Sequence, residues 1–122
     1  MEFYVCKHCG NVIAYVDHRG ANVVCCGEEM QRLTENMVDA SVEKHVPVVE
    51  TEENLVTVKV GSAEHPMMEA HHIEWVALHT AQGNQRKLLA WPNAPKAVFA
   101  LAEGDSVIAA YAYCNLHGLW RS

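Results

Sequence analysis

The chain is 122 residues long, has a formal net charge of −6 with its histidines neutral, and contains five cysteines and eight histidines. This length fits one domain, or one domain joined to a small module that a metal holds together. The acidic balance and the nine scattered Lys and Arg exclude nucleic acid as an expected partner, and the apolar runs are far too short to cross a bilayer.

Residues 1–35 are predicted to form a small β module. Short strands are expected at residues 3–5 and 12–16. Gly27 follows the adjacent pair Cys25-Cys26, where a tight metal-binding turn favours a residue that adopts positive φ. A segment of this size cannot bury enough apolar surface to fold by itself, so it needs a metal, a disulfide or a partner chain.

Residues 34–41 show no period and are predicted to be a linker, after which the chain is β-rich. Leu55–Val60 shows this most clearly, because its three valines alternate with Thr57 and Lys59. No segment has a helical period over ten or more residues, and regular turn signals are typical of an antiparallel sandwich. The predicted strands are His45–Glu50, Leu55–Val60, Ile73–Thr80, Arg86–Ala90, Ala97–Leu101 and Ser106–Tyr113.

Four cysteines in the first quarter of the chain form a pattern typical of a metal site. No basic and apolar leader follows Met1, so we expect the cytoplasm, where such cysteines bind metal rather than form disulfides. Cys6 and Cys9 have the C-x-x-C spacing that gives two sulfurs to one ion, and a hairpin can bring back Cys25 and Cys26. Both adjacent cysteines can bind one ion only if the chain bends there and the tetrahedron distorts; a disulfide between them is a remote alternative. Four sulfurs suit zinc and iron alike, so the ligand chemistry leaves the metal open.

The fifth cysteine and four of the histidines form a second candidate site with different chemistry. Cys114 and His117 are three residues apart, a spacing that lets a turn chelate one ion, and the other members are His45, His65 and His71. Four neutral imidazoles leave an ion exposed above and below, and one thiolate can take an axial position, so a six-coordinate metal keeps one position open. A thiolate opposite a reacting ligand pushes electron density towards it, which favours iron, and an open position favours chemistry over structure.

Each of these residues also has an ordinary interpretation by itself. A single histidine in a β-protein is more often hydrogen-bonded or at the surface than a ligand, and Cys114 alone could be a small buried hydrophobe. Strand alternation would turn His72 to the face opposite His71, whereas Ile73 and Trp75 share the parity of His71 and either wall the site or belong to the core. The histidines expected not to be ligands are His8, His18, His72 and His79.

The motifs around these residues resemble those of the superoxide reductases. They are Glu43-Lys44-His45-Val46-Pro47, then His65-Pro66-Met67 with His71 and Ile73-Glu74-Trp75, and Cys114-Asn115-Leu116-His117-Gly118-Leu119-Trp120. The pattern of the four N-terminal cysteines resembles desulforedoxin. Together the motifs cover nearly the whole chain and resemble the desulfoferrodoxin family of two-iron superoxide reductases.

The resemblance implies an all-β fold with two iron ions per chain. Residues 1–35 would be a desulforedoxin-like domain with a distorted FeCys4 centre, and residues 38–122 an immunoglobulin-like antiparallel β-sandwich with a square-pyramidal iron. The implied ligands of the first iron are Cys6, Cys9, Cys25 and Cys26. Those of the second are His45, His65, His71 and His117 in equatorial positions and Cys114 in the axial position.

The resemblance also implies the reaction and its partners. Superoxide would be reduced by one electron to hydrogen peroxide, with two protons taken up, no oxygen released, and electrons supplied by rubredoxin-like donors to a homodimer. Lys44 and Glu43 would be the flanking functional residues. Lys44 supplies a local positive charge for an anionic substrate in an acidic protein, and Glu43 could close over the open position once the iron is ferric. Without the resemblance, the Glu43-Lys44 pair would be read as a solvated surface dipeptide.

Two other functions fit the same residues. The chain could be a non-enzymatic electron-carrier or metal-binding module, with zinc in the cysteine site and a structural ion in the second site. Superoxide dismutation is also compatible, because the sequence does not reveal the reduction potential that decides whether the metal oxidises superoxide as well. Iron content and colour separate the carrier from the reductase, and oxygen release separates the dismutase.

Overall fold

The chain folds almost entirely as β-structure, with twelve strands and one short helix. The computed structural model describes all 122 residues. They divide into two compact units, Met1–Thr34 and Glu35–Ser122. No helix is long and apolar enough to span a membrane.

The first unit contains five very short strands around a small core. The strands are β1 (Phe3–Val5), β2 (Val12–Ala14), β3 (Val24–Cys25), β4 (Glu28–Glu29) and β5 (Gln31–Arg32). They pair antiparallel, as a sheet in the order β2-β1-β5 and a separate β3-β4 hairpin. The core consists of Tyr4, Cys6 and Met30, with Ile13, Tyr15 and Cys25 packed against it. Two of these six side chains are cysteines, so the packing of this unit depends on what its cysteines bind.

The turn after the adjacent cysteines bends as the sequence predicts. Cys26 has φ 53° and Gly27 has φ 77°. Glycine adopts positive φ readily, whereas a non-glycine residue does so only in uncommon, locally constrained turns. This bend is what allows two consecutive thiols to face one point.

The second unit is an antiparallel β-sandwich, which confirms the predicted fold class. Its elements are α1 (Val42–His45), β6 (Pro47–Glu52), β7 (Leu55–Val60), β8 (Ile73–Thr80), β9 (Gly83–Leu88), β10 (Lys96–Ala100), β11 (Val107–Cys114) and β12 (Gly118–Arg121). One sheet has the strand order β10-β7-β6 and the other has the order β12-β11-β8-β9.

The core lies between the two sheets, and alternate residues of β7 point into it, as the sequence of that strand predicts. Val56, Val58 and Val60 are completely buried, and they pack with apolar side chains of β8, β10 and β11. Strand pairing brings Val60 opposite Pro47, and Ile73 opposite Cys114. The end of β7, the start of β8 and the end of β11 therefore lie at one end of the sandwich, where the second candidate site is built.

Two local predictions were wrong and one strand was missed, each because the sequence signal was weak. His45 is not in a strand but is the last residue of α1, a single turn too short to show a period, and β6 begins only at Pro47. β9 was predicted at Arg86–Ala90 but begins at Gly83 and ends at Leu88. The prediction failed because β9 is a mostly exposed edge strand whose polar residues give no apolar alternation. β12 was not predicted, since its four residues follow directly on the Cys114–His117 turn.

Candidate metal centres

The four N-terminal cysteines converge on one point. Their sulfur atoms lie within 4.8 Å of one another, and the Cys9 and Cys25 sulfurs are 3.6 Å apart. A disulfide would need about 2.05 Å, so all four are free thiols and the alternative of a bond between the adjacent pair is excluded. Two backbone hydrogen bonds close the Cys6–Cys9 knuckle: the Cys6 N–H donates to Asn11 O over 2.9 Å, and the Gly10 N–H donates to Cys6 O over 3.0 Å.

The pKa values of these thiols indicate that the cluster needs a bound cation. A hydrogen bond from the Cys9 N–H to Cys6 Sγ, over 3.5 Å, helps lower the pKa of Cys6 to about 6. Hydrogen bonding with the Cys9, Cys6 and Cys25 sulfurs raises the pKa of Cys26 to about 12. The first thiolate thus forms easily and the last does not, because it would be added to sulfur that is already negative. Four thiolates therefore coexist there only around a thiophilic cation, for which this donor set is suited.

The second group is assembled from four segments at one end of the sandwich. His45 ends α1, and His65 and His71 lie in the connection between β7 and β8. Cys114 ends β11, and His117 lies in the turn before β12. Ligand atoms of His45, His65, His71 and Cys114 all lie within 4.8 Å of one another, and His117 Nδ1 is 3.0 Å from His45 Nε2.

The four imidazoles are arranged in a closed circuit, in which each ring neighbours two others. Neighbouring ring centroids are 4.7 Å apart for His45 and His65, 4.6 Å for His65 and His71, 5.1 Å for His71 and His117, and 4.9 Å for His117 and His45. Each neighbouring pair is nearly perpendicular, with interplanar angles of 77° to 84°. His45 and His71 face each other across the circuit at 6.4 Å. Four points of a tetrahedron would be equally spaced, so the longer diagonal indicates a four-cornered arrangement around a common centre.

Two of the imidazoles are oriented by backbone carbonyls. His45 Nδ1 lies 2.6 Å from Ser41 O, and His65 Nδ1 lies 2.7 Å from Pro66 O. A carbonyl only accepts, so both Nδ1 atoms carry the proton, and the two neutral rings present unprotonated Nε2 atoms. These two Nε2 atoms are 3.2 Å apart and cannot hydrogen-bond to each other, since neither carries a proton. A shared cation satisfies both lone pairs, and the carbonyls are the outer partners that metal-bound histidines usually have.

The remaining donors of this group are also short of partners. His71 Nε2 is buried and has no hydrogen-bond partner. Cys114 is fully buried, and its sulfur accepts a hydrogen bond from the His117 N–H over 3.4 Å. A buried polar atom without a partner is costly, and the donor set of imidazoles with one thiolate fits a transition-metal ion such as iron.

Burial keeps the ligands in the state that a metal needs. It lowers the pKa of His65 to about 4 and lowers the pKa values of His45 and His71, so these rings are neutral near pH 7. Burial also raises the pKa of the Cys114 thiol, so a bound cation would be needed to hold it as a thiolate.

The four other histidines have ordinary contacts. His72 lies beside His71, but its Nδ1 is 2.8 Å from Met68 O. His8 pairs with Glu28 over 2.6 Å, and His18 stacks on Tyr15 with ring centroids 4.1 Å apart. His79 lies within β8, at the end of the strand remote from Ile73.

Glu43 and Lys44 are exposed on α1, directly before the buried His45. A hydrogen bond with the Ser41 side chain lowers the pKa of Glu43 below its usual range. Lys44 is close enough for its charge to contribute to lowering the pKa values of His45 and His71.

The backbone of α1 packs against Gly61, where an added Cβ would lie 2.6 Å from Glu43 O. This close approach admits only glycine, a requirement that the sequence did not reveal.

Fold and donor sets together define a non-haem metalloprotein with a thiolate centre in a small β module and an imidazole–thiolate centre in a β-sandwich. Residues 37–122 match the family model described as Desulfoferrodoxin, and residues 1–33 match that of its N-terminal domain. The chain belongs to the desulfoferrodoxin family. The two donor sets match the two iron centres expected of that family, so the prediction of two iron ions per chain is confirmed.

Relatives align over almost the full length of the chain. The desulfoferrodoxin of Syntrophotalea carbinolica is 43% identical over 122 residues, which cover 100% of this chain and 95% of the relative. That of Nitratidesulfovibrio vulgaris is 44% identical over 121 residues, which cover 99% and 94%. The crystal structure of the superoxide reductase from Treponema pallidum aligns with TM-score 0.84 and 40% identity over 98% of both chains.

Proposed function

We propose that this chain is a superoxide reductase: superoxide, one electron and two protons are converted into hydrogen peroxide at the imidazole–thiolate centre. The observation that carries this function is the convergence of four imidazoles and one thiolate, in which the unprotonated Nε2 atoms of the buried His45 and His65 lie 3.2 Å apart. When bound by these residues, ferrous iron would supply the electron and become ferric. The superoxide reductases among the relatives and solved structures support this activity.

His45, His65, His71, His117 and Cys114 would hold this iron, four through an imidazole nitrogen and one through a thiolate. The closed circuit of imidazoles supports one shared ion, since the four rings surround a common centre and each is nearly perpendicular to its neighbours. The Cys114 sulfur, which accepts the His117 N–H, would bind the iron as a thiolate, stabilise its ferric state and increase electron donation to the bound substrate.

Lys44 and Glu43 act on the substrate side of the centre. Lys44 attracts the superoxide anion, because it is the cation next to His45 in a chain of net charge −6. Glu43 is ionised because hydrogen bonding with Ser41 lowers its pKa, and its carboxylate would close over the open position of an iron bound there.

Residues 1–35 form the FeCys4 domain, with Cys6, Cys9, Cys25 and Cys26 as ligands, and residues 38–122 form the catalytic domain. A rubredoxin-like protein donates the electrons, the chain acts as a homodimer, and it removes superoxide in the cytoplasm. Four free cysteines in one metal-binding cluster support a reducing compartment.

An anaerobic absorption spectrum with metal analysis tests this proposal against a non-enzymatic module. The reductase should contain two irons per chain and show, when oxidised, a sulfur-to-iron charge-transfer band from each centre. A colourless protein with zinc in the cysteine site and no band from Cys114 would support the metal-binding module instead.

A further inference from the structure

The four imidazoles of the catalytic centre are not held in the same way. His45 and His65 are each oriented by a carbonyl that accepts from Nδ1. The His71 ring receives no such hydrogen bond, and its buried Nε2 has no partner. His71 also lies in the irregular connection between β7 and β8 rather than in a strand. Its position therefore has to be fixed through its backbone.

That backbone is tied into a tight loop. The Met68 N–H donates to His71 O over 2.9 Å, and the His71 N–H donates to Met68 O over 3.2 Å. These bonds close the loop on itself but do not attach it to Cys114 at the end of β11 or to the turn that carries His117.

Asn115 makes that attachment with three hydrogen bonds. Its Oδ1 accepts the His72 N–H over 2.9 Å, and its Nδ2 donates to Ala70 O over 3.0 Å. Its own N–H donates to His72 O over 3.2 Å. The side-chain amide thus uses its acceptor and its donor on the residues that flank His71, and the residue preceding it is the buried Cys114.

We propose that Asn115 is a positioning residue of the catalytic centre: it clamps the loop 68–72 to the turn after Cys114 and so holds His71 against the iron. This inference rests on the proposed ligand set. The clamp takes the place of the carbonyl partner that His71 lacks, and it couples the placement of one equatorial imidazole to that of the axial thiolate. The two bonds use two different atoms of the amide: a carboxylate has no donor for Ala70 O, and a hydroxyl has only one polar atom in place of Oδ1 and Nδ2.

The chain offers a matched control. Asn36 makes the same three kinds of hydrogen bond elsewhere: its Oδ1 accepts the Arg121 N–H over 2.8 Å, its Nδ2 donates to Arg121 O over 3.2 Å, and its N–H donates to Leu119 O over 3.0 Å. Its bonds do not touch the loop that carries His71. Asn36→Gly removes that side chain without strain, because residue 36 has φ 58°.

The test uses the full chain with both irons. The rate at which a chelator removes iron from the reduced protein is measured for wild type, Asn115→Ala and Asn36→Gly, together with the charge-transfer band and the ferric electron paramagnetic resonance signal of the second centre. Mutating a residue that hydrogen-bonds to a metal ligand costs about 10–100-fold in metal affinity. Asn115 bonds the residues beside His71 rather than its ring, so we expect the lower end of that range, with iron lost about ten-fold faster from Asn115→Ala. Its band should shift or broaden, whereas the FeCys4 band and Asn36→Gly should stay as in wild type.

A wild-type rate of iron loss and an unchanged band in Asn115→Ala would overturn the proposal, as would equal effects of Asn115→Ala and Asn36→Gly. If Asn115→Ala does not fold, Asn115→Asp keeps the shape and the acceptor for His72 but loses the donor to Ala70, and the same two outcomes apply to it. His71→Ala separates this proposal from the ligand set. Unchanged iron retention in His71→Ala would refute the ligand set, whereas rapid iron loss in His71→Ala with none in the Asn115 variants would refute the clamp alone.

Discussion

The two metal centres differ in what holds their ligands. In the thiolate centre, Cys9 and Cys26 are exposed, and Cys6 belongs to a core of only a few side chains. In the catalytic centre, His65 is 2% exposed and Cys114 is 0% exposed, at the end of a sandwich with a continuous apolar core. The comparison teaches that a large scaffold can fix its ligands through an apolar core of its own, whereas a small module depends on the metal for its folding.

The largest effect is expected from Cys114→Ser, which should abolish superoxide reduction and leave the sandwich folded. Serine is a poor ligand because its hydroxyl is rarely ionised, so the loss should exceed the about 10–100-fold that an outer-shell change costs. The other core residues remain in place, and circular dichroism should show the β-structure of the wild type. Activity and a second-centre spectrum like those of wild type would show that Cys114 is not the axial ligand.

The contrast between the centres predicts a different result for Cys9→Ser. Loss of one thiolate should abolish the first centre's spectrum and loosen residues 1–34, because their core is too small to fold without metal. Limited proteolysis should cut that segment and spare residues 35–122. A prereduced second iron should still reduce superoxide at nearly the wild-type rate. Loss of that fast reaction, with the second iron intact and reduced, would mean that the two centres are not separable.

A smaller effect is expected from Lys44→Ala, which removes the exposed cation beside the catalytic centre. The second-order rate with superoxide should fall by roughly ten-fold, within the range of local electrostatic focusing, and Lys44→Arg should restore much of it. The rate of the wild type should fall with rising salt, and that of the variant should depend less on salt. Pulse radiolysis at several ionic strengths measures this.

Arg86→Ala is the control for that experiment, since it removes one exposed positive charge from the edge strand β9. If both variants slow the reaction equally, the effect belongs to net charge, and Lys44 has no special role.

The last expected effect concerns the stability of the metal-free sandwich, which should fall as the pH falls. Burial lowers the pKa of His65 to about 4 from an unfolded value near 6.5, so the unfolded chain takes up a proton that the folded chain refuses. This contribution to stability is complete above pH 6.5 and is lost progressively between about pH 6.5 and 4, to a total of about 3 kcal/mol. Urea unfolding of the apoprotein across that range measures the loss, and His65→Gln should flatten the dependence. If stability depends on pH as steeply in His65→Gln as in the wild type, other groups cause the dependence.

Much of this molecule could be predicted from its sequence because two kinds of signal were strong. The alternation of Val56, Val58 and Val60 reports the buried face of β7 directly, and the spacing of Cys6, Cys9 and the Cys25-Cys26 pair reports a shared ion. The positive φ of Gly27 followed from the need to bend a chain with two adjacent ligands.

The features that the sequence did not reveal are set by tertiary contacts. Gly61 is required by the backbone of α1, which is distant in sequence and packs against it. The order of the imidazoles around the centre depends on how four segments meet at one end of the sandwich, and a list of histidines contains no such information. Asn115 belonged to a recognisable motif, yet its role depends on contacts with residues 70 and 72, more than forty positions away.

The measurement that tests the central claim most directly is the stoichiometry of a superoxide pulse given anaerobically to the prereduced protein. The account predicts one hydrogen peroxide formed for each superoxide consumed, no oxygen released, and oxidation of the second iron with the appearance of its sulfur-to-iron band. Oxygen release with one peroxide for every two superoxides would identify a dismutase, and no consumption beyond spontaneous decay would identify a metal-binding module. Either result would contradict superoxide reduction at the imidazole–thiolate centre.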